Sequence, residues 1–272
     1  MLLQQLLIGA GAQCVNTGSE PEPFTSGMWS VNRFRHRAAE KRLAGVPPWQ
    51  PFLCAAESGS EAVMATLSIG DPEFDVNKCD DSGSTALALS ARQGNVRIVR
   101  WLCRHAHLEP TLADRYGVCA LHKAVSFGQL ATVEVLLNDR RVQVDQPVGR
   151  PTVPDSFAAF SGGETSLHLA SSHTYTYHHT QHTKIAKRLL EAGADPNLCR
   201  ADGRNAVHCA AAAGNVEILR YLLASGHVRS WHQKDAEGST ARDLAQHHGH
   251  TAVLTLLPTE PLPRAAPVGS PG

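Results

Sequence analysis

Between Gly203 and Gly226 the chain reads GRNAVHCAAAAGNVEILRYLLASG, and its apolar positions fall into two short helical stripes. Ala206, Val207, Ala210 and Ala211 line one side of a first helix, and Gly214-Asn215 then interrupts it. Asn215 is placed to cap the next helix through its side-chain oxygen. In that second helix Ile218, Leu219, Leu222 and Leu223 recur at helical spacing, so one face is apolar and needs a partner. Small residues on the first helix let a neighbour approach closely. A unit of this size cannot cover both faces alone, and the pattern predicts a stack of such units.

The same text recurs along the chain. Glycines open units at Gly83, Gly117, Gly163, Gly203 and Gly238, and separate paired helices at Gly59, Gly94, Gly128, Gly214 and Gly249. Gly83 and Gly117 lie 34 residues apart, and Gly203 and Gly238 lie 35 apart. After the opening glycine come STALALSA, VCALHKAV, ETSLHLAS, RNAVHCAA and STARDLAQ, which resemble the TPLHxA signature of ankyrin repeats, with Ala or Ser for the usual Pro. The unit ends EAGADPN and FDVN match as well, and the period is the family's ~33 residues. The chain is identified as a member of that family over residues 48–257. The resemblance implies an all-α solenoid of helix-turn-helix units with β-hairpin finger loops.

Three stretches depart from the period. Residues 1–47 read as an N-terminal partial repeat followed by a linker and a basic helix. LLQQLLIGAGAQCVN (2–16) resembles the back half of a unit, as in a chain shortened at its start, and 28–45 carries Arg33, Arg35, Arg37, Lys41 and Arg42 against a single Glu40. That basic helix is expected to cover the first repeat. Gly117 to Gly163 spans 46 residues and Gly163 to Gly203 spans 40, so the fourth unit carries inserts of about 13 and 7 residues over the bare period. They fall at 147–160 and 171–183 and are expected to be surface loops. Residues 258–272 are Pro-rich and weakly hydrophobic, the composition of a disordered tail. In the first unit Phe52 and Cys54 stand at Leu positions, and Val63, Leu67 and Ile69 are expected to form its second helix. The sixth unit turns polar, with Arg242 at a Leu position and Asp243 at the His position, as an end unit requires.

Composition narrows function. The formal net charge is zero, which leaves no electrostatic footprint for nucleic acid or a membrane surface. Seven cysteines scattered through repeat positions fit reduced thiols of the cytoplasm or nucleus rather than a disulfide framework. No apolar run approaches the ~20 residues of a membrane span. No nucleophile–base pair, phosphate loop or metalloprotease motif appears, so no catalytic residue is assigned and no cofactor is expected. His173, His178, His179 and His182 crowd the second insert, and imidazoles at i, i+4 spacing can hold a transition metal. Metal binding through 171–183 is therefore an alternative reading.

The resemblance carries the remaining expectations. His122, His168 and His208 occupy the signature histidine, which bonds between repeats. Asn77 and Asn197 sit at the finger asparagine, where a turn bonded to the backbone suffices. Partner contacts come from finger tips and inner-helix ends, which here correspond to Asp81, Ser84, Arg92, Arg115, Tyr116, Phe127, Asp202, Arg204 and Glu237, with Ser82, Gln93, Val118 and Ser239 beside them. Tyr116 and Phe127 are either exposed anchors, since aromatics beside Arg are common hot spots, or are covered by Phe157 and Phe160 of the insert. The reading is a monomeric, non-catalytic scaffold or adaptor that binds a protein on its concave face. A regulatory inhibitor or adaptor in signalling or transcription is the alternative.

Overall fold

A computed structural model of the chain describes residues 49–70, 75–149, 162–172, 179–229 and 231–257. The expected partial repeat, linker and basic helix of 1–47, the tail of 258–272, most of the first insert and Phe74 lie outside the described residues. Contacts divide the chain into two units, 1–158 and 159–272.

The described residues of unit 1 form three helix pairs. They are α1 (Gln50–Ser58) with α2 (Glu61–Gly70), α3 (Ala86–Gln93) with α4 (Val96–Cys103), and α5 (Ala120–Ser126) with α6 (Leu130–Leu137). The inner helices α1, α3 and α5 pack side by side, and α2, α4 and α6 form a second layer against them. Composition follows this placement. From Ala86 to Ala91 every residue of α3 is buried, because neighbours press on it from several sides, and alanines allow that approach. The outer helix α4 buries only the stripe Ile98, Val99 and Leu102 and leaves Arg97 and Arg100 exposed. In α2 the buried anchor is Met64, a side chain flexible enough to fill an irregular gap.

Unit 2 repeats the plan with α7 (Ser166–Ser172) and α8 (His179–Glu191), α9 (Ala206–Ala212) and α10 (Val216–Ala224), and α11 (Ala241–His247) and α12 (Thr251–Leu254). Its inner layer is α7, α9 and α11. Ala206 to Ala211 are all buried, and α10 buries Ile218, Leu219 and Leu222. Leu223 is only half-buried.

Fingers join the pairs, and three of those described close on a single bridge: Cys79 with Thr85, Ala113 with Cys119, and Lys234 with Thr240. The amide of Arg115 donates to the Ser82 carbonyl at 3.0 Å, and that of Ala236 to the Asp202 carbonyl at 2.9 Å, so successive fingers within a unit are tied by backbone.

Two expectations are corrected here. The second insert, expected to be a loop over 171–183, is helical at 171–172 and 179–183, and 173–178 lie outside the described residues. Ser171 is fully buried within α7 and His182 is 1% exposed within α8. The last residues of the insert begin α8, the longest described helix, at 13 residues.

Asn215 does not cap its own helix. Its Nδ2 donates to the Ser171 carbonyl of the preceding repeat at 3.4 Å. Residues in the same place behave alike: Asn95 donates to the Ala56 and Glu57 carbonyls at 3.0 and 2.8 Å, Gln129 to Arg92 at 3.3 Å, and His250 to Ala212 at 3.0 Å. Each satisfies carbonyls at the end of the preceding inner helix, which that helix cannot satisfy itself. The reach explains the glycine at those ends. A Cβ on Gly94, whose φ is +77°, would stand 2.2 Å from the Gln129 side chain.

Candidate functional site

The polar groups within each unit are largely spent on neighbouring repeats. In His122 the Nδ1 accepts the Cys119 amide at 3.3 Å and lies 3.1 Å from its thiol, while Nε2 donates to the Gln146 carbonyl at 2.9 Å. His168 uses Nδ1 on the Thr165 amide at 3.1 Å and its hydroxyl at 2.9 Å, and Nε2 on the Arg204 carbonyl at 3.2 Å. His208 Nε2 donates to the Gln233 carbonyl at 2.8 Å. All three are buried. Burial pushes the pKa of His122 down to about 4 against the pull of the Gln146 carbonyl, and lowers those of His168 and His208. For His122 and His168, with Nδ1 accepting and Nε2 donating, the neutral ring is the form these bonds need. The expected inter-repeat role of the three histidines is what the structure displays.

Asp243 takes the histidine position in the last described repeat. Its carboxylate accepts the Thr240 amide and hydroxyl at 2.9 and 2.7 Å, so it keeps the local cap without reaching onward. Arg242 turns back to the Leu254 and Leu257 carbonyls at 3.0 and 2.7 Å.

The finger asparagines also reach further than a local turn. Asn77 Nδ2 donates to the His107 carbonyl at 2.7 Å, and its Oδ1 accepts the Glu109 amide at 2.9 Å. Asn197 makes the same pair with His227 and Arg229, at 2.9 and 2.7 Å.

At the base of the fingers, Asp80, Asp114 and Asp235 each accept two amides of their own turn at 2.8–3.0 Å. In unit 1 Lys123 Nζ joins Asp114, at 2.8 Å, to the Ser84 hydroxyl, at 2.7 Å. Ser84 is only 3% exposed. That corrects its place among partner-facing residues: the Asp80 carboxylate and Lys123 hold it inside. Val118 is likewise buried.

In unit 2 Arg200 stands where the other fingers have Asp, and a ladder of alternating charge results. Arg200 lies 3.8 Å from Glu164 and 2.6 Å from Asp202; Arg204 lies 3.6 Å from Asp202, 2.9 Å from Asp235 and 3.3 Å from Glu237. Burial alone would raise the pKa of Asp202 and Asp235, but hydrogen bonds from Arg200 and Arg204 outweigh it and hold both below the usual carboxylate range. Asp202 and Arg204 are therefore half-buried members of a structural network. Glu237 is the open end of the ladder, with its side chain 74% exposed.

Exposed side chains gather in unit 1. Phe127 is 54% and Tyr116 44% exposed, and Asp81 and Arg115 are exposed as well. Arg92 pairs with Glu57 of the preceding inner helix. A cleft of about 390 Å³ opens beside Asp80 and Asp81, walled by Trp49, Leu53 and Leu89. In unit 2 Leu198, not singled out in the sequence, is 37% exposed.

For the histidine-rich insert, His182 is interior, His173 and His178 lie outside the described residues, and the side chain of His179 is not described. Among the described residues no three His, Cys, Asp or Glu side chains are grouped to hold a metal ion. Six cysteines are free, and burial raises the pKa of Cys103 and Cys209 to about 11, which leaves both as inert thiols. No described helix is long and apolar enough to cross a membrane.

Comparison with known proteins agrees with this architecture. A family model of ankyrin repeats matches residues 52–147 and 167–262. Rabankyrin-5 of Homo sapiens is 29% identical over 64% of this chain and 14% of its own length. The putative palmitoyltransferase ZDHHC13 of Danio rerio is 33% identical over 61% of this chain and 22% of its own, and ankyrin repeat domain-containing protein 53 of Homo sapiens is 27% identical over 72% and 37%. The chain thus spans well under half the length of these curated relatives.

Among solved structures, the ankyrin repeat domain of Bcl-3 aligns with a TM-score of 0.62 at 19% identity, covering 83% of this chain and 93% of that one. A chain from the complex of a Bdellovibrio bacteriovorus predatory endopeptidase with immunity protein Bd3460 aligns with a TM-score of 0.60 at 24% identity, covering 75% and 94%. At these identities the likeness is one of fold. With helix pairs on a fixed period, histidines bonded from one repeat to the next, and a family match across most of the described residues, the chain belongs to the ankyrin-repeat family, whose repeats are protein–protein interaction modules.

Proposed function

We propose that the chain is a non-catalytic scaffold or adaptor that holds a partner protein against the finger and inner-helix side of its repeats. The repeat domain in this reading is 48–257, with 1–47 and 258–272 flanking it. The observation that carries it is the exposure of Tyr116 and Phe127 within one repeat of unit 1. Large aromatics left in water are favourable to bury against a partner, and those near arginine dominate binding energy at many interfaces. In this reading Asp81, Arg92 and Arg115 supply the polar contacts of unit 1, and Glu237 those of unit 2. Because each repeat fixes the next through side-chain bonds to backbone, the contact residues are held before the partner arrives and little ordering entropy is lost.

Affinity capture with the wild-type chain and the Tyr116→Ala/Phe127→Ala variant tests the reading. A partner recovered by the wild type and lost with the variant supports it, and equal recovery of every partner overturns it.

A further inference from the structure

Arg97, Arg100 and Arg104 are exposed on α4 and immediately after it, on the outer layer. Among the described residues, the cleft lined by Trp49, Leu53, Glu57, Asp80, Asp81 and Leu89 has three carboxylates on its walls and no lysine or arginine. The chain as a whole is neutral, so the acidic lining of the cleft is a local property. Of the three carboxylates, Glu57 is already matched by Arg92. Asp80 gives one oxygen to the amides of Ser82 and Ser84. Asp81 is exposed. Neither Asp80 nor Asp81 forms an ion pair with a described residue.

The rest of the lining suits a particular guest. Leu53 and Leu89 are buried along the cleft, a surface for the methylene stem of a long side chain, and Trp49 supplies an indole, whose face attracts a cation. The position matters too. Asp81 precedes Ser82, whose carbonyl accepts the Arg115 amide at 3.0 Å, and Tyr116 follows Arg115 directly. The cleft and the exposed tyrosine therefore sit on adjoining fingers, within one short stretch of docked chain.

We infer that this cleft takes an arginine or lysine side chain of a basic, apolar-flanked segment of the partner that docks on unit 1. The inference rests on the proposed interaction surface and adds the chemistry of what occupies it. An acidic segment would meet like charge here, which costs binding and orientation alike.

The test uses the full chain and two labelled synthetic peptides, one alternating arginine with leucine and one alternating glutamate with leucine, followed by fluorescence anisotropy at physiological salt. The arginine peptide binds the wild type and the glutamate peptide does not, and Asp81→Lys weakens the arginine peptide by about tenfold or more, as reversal of a facing charge should. Arg100→Glu, on the outer layer, leaves its binding unchanged. Circular dichroism of Asp81→Lys matching the wild type shows that the fold is intact. Equal affinity of the arginine peptide for wild type and Asp81→Lys, or no preference over the glutamate peptide, overturns the inference. A captured partner that needs Tyr116 and Phe127 but tolerates Asp81→Lys would sink the cationic guest while leaving the interaction surface standing. A partner indifferent to all three residues would sink both.

Discussion

Asn95 Nδ2 lies 2.8 Å from the Glu57 carbonyl, 38 residues earlier in the chain, and makes no side-chain bond to the helix it precedes. The same amide reaches the Ala56 carbonyl at 3.0 Å. One side chain thus closes the end of a helix belonging to the previous repeat. Asn95→Ala removes both bonds, leaves two half-buried carbonyls without that donor, and should cost about 1–3 kcal/mol. Urea unfolding monitored by circular dichroism measures it. A loss below about 0.5 kcal/mol would mean that water replaces the amide without penalty.

The signature histidines make stability depend on pH. His122 titrates near 4 in the folded chain, against about 6.5 when unfolded. The unfolded state therefore binds the proton more readily, so stability from this residue is complete above about pH 6.5 and is lost as pH falls towards 4. The difference amounts to roughly 3 kcal/mol. His168 and His208 shift in the same direction and steepen the loss. Melting temperatures recorded between pH 7 and pH 4 should fall, and His122→Gln should flatten part of that slope. A flat profile across the range would show that these rings are not held neutral.

Removing Arg204 strands a buried carboxylate. The side chain of Asp235 is 1% exposed, and Arg204 is its ionic partner at 2.9 Å. Two amides still face its other oxygen, which limits the damage. Arg204→Met should cost about 3 kcal/mol, and the double variant with Asp235→Asn should recover part of it. Equal stability of wild type and Arg204→Met would mean that the ladder is ornamental.

Leu222 is completely buried in α10. Leu222→Ala leaves a cavity between helices and should lower stability by about 2–5 kcal/mol, read from the denaturation midpoint. Leu223, half-buried beside it, should cost less under the same change.

The periodic features were legible in the sequence because they are local. Glycine spacing marked where each helix pair breaks, and the apolar stripes marked which faces meet. What was missed depends on residues a full repeat away. Asn215 reads as a cap for its own helix until the Ser171 carbonyl, 44 residues back, is seen beside it. Ser84 reads as a finger-tip residue until Lys123 arrives from the next repeat. Arg204 reads as a partner-facing charge because Asp235 and Glu237, its partners in the ladder, lie more than 30 residues away in sequence. One signal was available: Asn95, Gln129, Asn215 and His250 each follow a helix-ending glycine, and a polar residue recurring in that place serves a recurring bond. The start of α8 was hidden because inserted residues rich in His and Thr resemble a loop by composition, while Ile185, Ala186 and Leu189, buried along the same helix, supply the face that holds it in place.

The most direct measurement is the affinity of a captured partner for three forms of the chain, by isothermal titration calorimetry: wild type, Tyr116→Ala/Phe127→Ala, and Leu198→Ser as a control on unit 2. The account predicts a loss of about tenfold or more for the double variant, with Leu198→Ser within about twofold of wild type. Wild-type affinity in the double variant would contradict it.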